Sequence, residues 1–351
     1  MRHMKSLATS AAASVLLAGC AGTSPTVSPP QAGGAFLQQA AARDVLRSTS
    51  AGLPMRRANG RRVTGNSWMA QVDAGRPLTY ISDFMANNIT VLDRAAHLMG
   101  QITGLSSPQG LFVDSNRNVW VANTNANDVL EFPRRTTSPS VTLNDPGEFP
   151  VDVTVCPNGT VFVSNRSATS GGTGSIAVYP SGDTSPTASL SYPGQGYNFF
   201  VTCDRSGNVL TTLNLDANNP PYGPAGVVEY PAGVQSGVTL LPISLGFPGG
   251  IKPDNAGNLL VNDQLARTVT EYTEAGVPTG QAMTYGDSTN DWIDIAVTQN
   301  SRVVAGADGL LLQGTALQFP SGRPRQVYHT LLGPGGSEPS GIAFDPGQTG
   351  I

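Results

Sequence analysis

The chain has 351 residues, a net charge of −4 and only three histidines and three cysteines, with 41 glycines and 27 prolines. The acidic balance argues against a nucleic-acid binder, which needs a basic face to neutralise phosphate. Beyond the N-terminal leader its apolar runs are too short to span a bilayer.

Residues 1–20 read as a leader: Arg2 and Lys5, an Ala-rich apolar run from Leu7 to Leu17, then Leu17-Ala18-Gly19-Cys20. The segment resembles a bacterial lipoprotein signal, in which cleavage precedes the cysteine and the thiol of Cys20 takes lipid. An ordinary secretory leader with an incidental cysteine is the alternative. The resemblance implies an extracytoplasmic protein anchored through its N-terminal lipid to the cell membrane or, with Ala21 rather than Asp after the cysteine, to the outer membrane. Residues 21–66 are expected to form a flexible tether, with a short helix over Phe36 to Ser48. Residues 21–77 hold seven Arg and two Asp (+5), whereas 78–351 hold eleven Lys/Arg and twenty-two Asp/Glu (−11). Arg56, Arg57, Arg61 and Arg62 are read as a solvated linker, the alternative being contact with anionic lipid or polysaccharide.

From residue 67 onward the sequence repeats. The clearest unit is Pro108-Gln109-Gly110-Leu111-Phe112-Val113-Asp114 followed by Asn118-Val119-Trp120-Val121-Ala122-Asn123, and related units begin at Pro150, Asn198, Pro248, Trp292 and Pro339. The second-strand starts Thr79, Val119, Val161, Val209, Leu259 and Val303 lie 40, 42, 48, 50 and 44 residues apart, a period that belongs to propeller blades or another repeat array. Each unit reads as four short strands, because β-branched and aromatic runs are separated by Gly, Pro, Asn and Asp clusters. The last unit has a first strand and nothing after it, while the first, at Leu78, has none before it. The two halves are expected to complete one blade and so remove exposed sheet edges. The prediction is an all-β, six-bladed β-propeller over 67–351, each blade four-stranded, the first closed by the C-terminal inner strand.

The P-x-G-[IL]-x-x-D and G-N-[VL]-x-V-x-[ND] patterns resemble the NHL-repeat and SMP-30/gluconolactonase-like six-bladed propellers over roughly Leu78 to Asp345, and are similar to uncharacterised bacterial propeller lipoproteins with a lead-in like Ser67-Trp68-Met69. The resemblance is specific for fold and weak for function, since one scaffold hosts binders, hydrolases, lyases and dehydrogenases.

With Cys20 assigned to lipid, Cys156 and Cys203 form an even pair at the ends of neighbouring inner strands. They stand in opposite strand phases, which is what facing side chains on adjacent blades require. A disulfide is expected, with two buried thiols as the alternative. After the leader only His97 and His329 remain, both in outer-strand segments, so a Ser-His-Asp triad, a multi-His metal site or a histidine base at the channel has no residues to build it.

Carboxylates at the channel are what remain. The position of Gly110 is taken by Asp152, Phe200, Gly250, Asp294 and Gly341 in the other units, which puts acids on opposite blades. With Gln109, Asn198 and Lys252 they form the candidate polar opening, and hard oxygen ligands there suit Ca²⁺ or Mg²⁺. The alternative is that Asp152 and Asp294 are solvated turn residues. SMP-30-like lactonases hold their metal with Glu, Asn and Asp, but no Glu stands at this entrance, so the metal site is not carried over and no cofactor is expected. Asp114, Asp204, Asp254 and Asp345 are expected to be Asx-turn residues. Trp68 and Trp292 are the candidate exposed aromatic contacts, Trp292 because it replaces the Pro of the repeat. The functional expectation is a monomeric, non-catalytic binding or scaffold module for a protein or polysaccharide partner; the alternative is a metal-assisted lactone or ester hydrolase.

Overall fold

The computed structural model describes residues 66–71, 75–93, 97–219, 221, 223–285, 292–298, 303–308, 314–318 and 339–346. Cys20, the basic tether and His329 lie outside them. Among the described residues no helix is long and apolar enough to cross a membrane.

The strands run as antiparallel meanders. β1 (Trp68–Met69), β2 (Leu78–Asp83), β3 (Asn88–Asp93) and β4 (Leu98–Thr103) open the first sheet; β5 (Pro108–Val113), β6 (Val119–Asn123), β7 (Asp128–Phe132) and β8 (Val141–Asn144) make the second. The third is β9 (Glu148–Val155), β10 (Val161–Ala168), β11 (Ser175–Tyr179) and β12 (Ala188–Leu190). The fourth is β13 (Asn198–Cys203), β14 (Val209–Asn214), β15 (Ala225–Tyr230) and β16 (Thr239–Leu245). The fifth is β17 (Pro248–Pro253), β18 (Leu259–Asp263), β19 (Thr268–Tyr272) and β20 (Pro278–Thr284). A three-stranded sheet of β21 (Trp292–Val297), β22 (Val303–Asp308) and β23 (Gly314–Gln318) follows, and β24 (Pro339–Asp345) returns to pair with β2.

The fold is an all-β propeller of four-stranded antiparallel blades, but six such blades are not found. Five sheets have the four or more strands of a complete blade, and the sheet of β21–β23 has three among the described residues. The repeat period located the strands without determining how many of them hydrogen-bond into each sheet. One sheet also gains a strand, since Trp68 and Met69 pair with Gln101 and Gly100 on β4. Gly100 is needed there, because a Cβ would fall 2.9 Å from the Trp68 carbonyl oxygen. The expected junction of the chain ends is present: Leu78 pairs with Asp345 and Ile81 with Ile342.

The apolar core lies between neighbouring sheets. Leu78 and Tyr80 pack with Leu111 and Val119, Trp120 and Val129 with Val153 and Val161, and Leu260 and Val269 with Trp292 and Val304. Each fully buried aliphatic side chain contributes about 1.5–3 kcal/mol. Polar staples repeat alongside. Ser82 donates to the Gln109 carbonyl of the next sheet, Thr124 to that of Pro150 at 2.7 Å, Thr212 to that of Gly249 at 2.9 Å and Asn262 to that of Trp292 at 2.6 Å. Each staple satisfies a buried carbonyl that an inner strand, lacking a further strand on its channel side, would otherwise leave unpaired.

Candidate functional site

At the centre, a glycine in one inner strand makes room for the aspartate of the next. A Cβ on Gly110 would overlap the Asp152 carboxylate, and one on Gly250 would lie 2.7 Å from Asp294 Oδ1. Both acids are wholly buried. Asp152 Oδ2 accepts the Val201 N–H at 2.9 Å. Asp294 Oδ1 accepts the Ile295 N–H at 2.8 Å, and its Oδ2 the Ile342 N–H at 3.3 Å. Each carboxylate therefore ties its own inner strand to the following one, and neither is a solvated turn residue.

Lys252, on β17 between the two acids in chain order, reaches both. Its Nζ lies 3.8 Å from Asp152 Oδ2 and 3.8 Å from Asp294 Oδ1. These are ion pairs beyond hydrogen-bond length, and neither Lys252 Nζ nor Asp152 Oδ1 has a hydrogen-bond partner. Burial raises Asp294 to about 7 and raises Asp152 too, with the Lys252 charge opposing both rises. Burial pushes Lys252 down, but the two carboxylates more than offset it and hold the ammonium above its ordinary range. The group thus holds a charged lysine between two acids that give up their second proton reluctantly. Such a lysine is no nucleophile at neutral pH. A cavity of ≈ 40 Å³ opens beside it, lined by Phe112, Thr202, Ala296 and Phe344 among others. That volume admits water and is far below the ~300–1,000 Å³ of ordinary ligand pockets.

The other sequence-derived candidates do not join this cluster. Gln109 donates through Nε2 to Thr124 Oγ1 at 3.0 Å and supports an inter-sheet staple. Asn198 is fully buried, with neither side-chain amide atom hydrogen-bonded. Trp292 is not at a rim: it is fully buried, stacked on Tyr285 at 4.3 Å between centroids, over Gly306, where any Cβ would collide with the indole. Standing where other units carry proline, the indole fills the space between β17–β20 and its own sheet. Trp68 is exposed on the outer edge strand. Asp114, Asp204 and Asp254 each accept N–H groups from the turn that follows, at 2.8 Å in each case from Asn118, Asn208 and Asn258. Asp345 departs from that set. It is fully buried and paired with Arg117 and Arg134 from the second sheet, and the residue after it, Pro346, has no N–H to offer. The expected Cys156–Cys203 disulfide is present, with Cα atoms 5.5 Å apart across the third and fourth sheets.

Two arrangements escaped the sequence. The two arginines paired with Asp345 lie 228 and 211 residues from it along the chain, with no local signal beyond their places in turns. Arg166 is buried with its guanidinium 5.7 Å from the Phe149 ring centroid and 5.3 Å from that of Tyr197; the one charged residue of β10 was the available cue. Among the described residues His97 is the only histidine; it is exposed and pairs with Asp93 at 3.0 Å. No group of three or more His, Cys, Asp or Glu among them is arranged to hold a metal.

No family model matches the chain, and no curated protein matches it in sequence. Solved structures do match in fold. A chain of a nidogen/laminin complex aligns with a TM-score of 0.57 at 14% identity, covering 76% of this chain and 98% of that one. A catalytically inactive virginiamycin B lyase from Staphylococcus aureus with quinupristin aligns at 0.53 and 14%, covering 80% and 95%. A streptogramin B lyase aligns at 0.51 and 14%, covering 71% and 87%. At these identities the likeness is one of fold.

Proposed function

We propose that this chain is a cell-envelope lipoprotein whose propeller is a non-catalytic binding or scaffold module for a protein or carbohydrate partner. The observation that carries this reading is the Asp152–Lys252–Asp294 arrangement. An ammonium stands between the two carboxylates, where a divalent cation would otherwise bridge them, and the adjoining cavity is too small for a sugar ring or lactone substrate. The lyase neighbours lend fold only, and the sole described histidine, His97, is exposed just before β4 and paired with Asp93. The nidogen/laminin neighbour belongs to an assembly of proteins, which is the use proposed here. The leader ending in Cys20 supports placement outside the cytoplasm.

A second reading, a metal-assisted lactone or ester hydrolase, is favoured by one feature: Asp152 and Asp294 converge on a single point. The test is metal uptake and lactone or ester turnover with Ca²⁺ and Mg²⁺, comparing the native chain with Asp152→Asn/Asp294→Asn. We expect no turnover in either, and metal uptake unchanged by the double substitution. Turnover accompanied by metal that the double variant no longer binds would overturn the binder reading.

A further inference from the structure

Two turns of the second sheet carry arginine where other sheets carry glycine. In the first hairpins of the third, fourth and fifth sheets, the residue whose N–H returns to the carbonyl three positions back is Gly159, Gly207 or Gly257, at φ 82°, 82° and 92°. Arg117 fills that place between β5 and β6, its N–H on the Asp114 carbonyl at 2.9 Å and its φ at 70°. The turn after β7 repeats the exchange. Thr136 donates to the Pro133 carbonyl at 3.0 Å, as Asp183 does to that of Pro180, yet Arg135 at φ 64° stands where the third sheet has Gly182 at φ 89°. A left-handed conformation strains a residue that carries a Cβ, so both turns hold a long cation at a cost that glycine avoids.

The side chains from these turns meet where β24 ends. Arg117 and Arg134 each direct Nε to the Asp345 carboxylate, one to either oxygen. Arg134 Nη2 also donates to the Arg76 carbonyl at 2.9 Å. Beside them, burial and then the Arg134 charge push Arg135 below the ordinary guanidinium range, with Asp345 opposing. Tyr80, on β2, is 1% exposed, and its hydroxyl has no hydrogen-bond partner. Burial, and after it the Asp345 charge, raises the phenol above its ordinary value, with Arg134, Arg135 and Arg117 opposing. A neutral donor therefore lies among these charges. Three arginines stand around one aspartate in a propeller that is acidic as a whole. The Arg117 and Arg134 side chains are 27% and 14% exposed, so the cluster can be reached from water.

We propose that Arg117, Arg134 and Arg135, with the Tyr80 hydroxyl, form a site for a doubly charged oxyanion, a phosphate or sulfate. Three guanidinium groups against one carboxylate leave a surplus of two positive charges, which such an ion neutralises. Guanidinium forks suit paired oxyanion oxygens, and the tyrosine adds a donor that carries no charge. The anion offsets the mutual repulsion of the three cations. The site shares no residue with the channel and does not depend on the function proposed above.

Inorganic phosphate and sulfate are the probes, titrated calorimetrically into the full chain purified in detergent, with soluble short-chain phosphatidylglycerol as the lipid arm. We expect saturable, one-to-one binding that raises the melting temperature and weakens as sodium chloride is added. Arg135→Gly should weaken binding about 10- to 100-fold and melt no lower than the native chain in anion-free buffer, because glycine holds the equivalent turn of the third sheet. Tyr80→Phe should weaken binding about 10-fold. Arg205→Ala, at an exposed arginine in the first hairpin of the fourth sheet, should change nothing. Tighter binding of phosphate and sulfate than of the phosphodiester supports the site with a free or monoester anion as its ligand; the reverse order supports it with a lipid headgroup. Absence of saturable binding by all three overturns the site and leaves the channel reading untouched. So does binding that survives both Arg135→Gly and Tyr80→Phe. A melting temperature that falls in Arg135→Gly without anion would mark the arginine as a structural prop and overturn the site as well.

Discussion

The aspartates that follow inner strands β5, β13 and β17 and those within inner strands β9 and β21 occupy repeat positions four residues apart, yet they are stabilised by different means. Asp114, Asp204 and Asp254 direct their carboxylates to N–H groups two to four residues downstream. Asp152 and Asp294 direct theirs to the next inner strand and to a lysine from a third. The first arrangement is complete within one hairpin and would form in any blade. The second exists only once the ring has assembled, and it leaves charge buried. Asp345 has the sequence position of the first class and the energetics of the second, because its partners come from across the closing seam.

Replacing Asp345 breaks the comparison most severely. Asp345→Ala leaves Arg117 and Arg134 facing a buried, uncharged gap beside the strand that closes the ring. A loss of about 3–5 kcal/mol is expected, read as a drop in the urea midpoint. A loss near ~1 kcal/mol, the value of an ordinary turn hydrogen bond, would return Asp345 to the strand-end class.

A smaller effect separates the channel by its pH dependence. Asp294 keeps its proton to about 7 in the folded chain and releases it near ~3.9 when unfolded. Between those values the folded state binds more protons, so this group's contribution to stability falls as pH rises from about 4 to about 7. Asp294→Asn should therefore flatten the decline in urea midpoint between about pH 5 and pH 8. An identical decline in the variant would mean that the carboxylate is already ionised at the acid end of that range.

What the sequence revealed follows the same division between local and assembled structure. The second-strand starts at Val119, Val161, Val209, Leu259 and Val303 coincide with β6, β10, β14, β18 and β22, because strand and turn chemistry is local. The pairing of β24 with β2 and the Cys156–Cys203 bond were also legible, since complementary half-units and opposite strand phases are written in the repeat. Sheet membership was less so: nothing in Trp68-Met69 marks it as a fifth strand, and the β21–β23 sheet has three strands among the described residues where four were expected. At the channel, repeat alignment found Asp152 and Asp294 but placed Trp292 at the rim. Whether an aromatic in a motif's proline position faces outward or fills a gap depends on what lies opposite, here Gly306 and Tyr285.

The protonation of Lys252 tests the central claim most directly. In the chain labelled with ¹⁵N-lysine, direct observation of the side-chain nitrogens across a pH titration identifies Lys252 by its absence from Lys252→Met. A channel locked by a charged lysine between two carboxylates predicts an Nζ that stays protonated above the ordinary lysine range near ~10.4. An Nζ that loses its proton near neutrality would make Lys252 an available nucleophile and contradict the account of a non-catalytic channel.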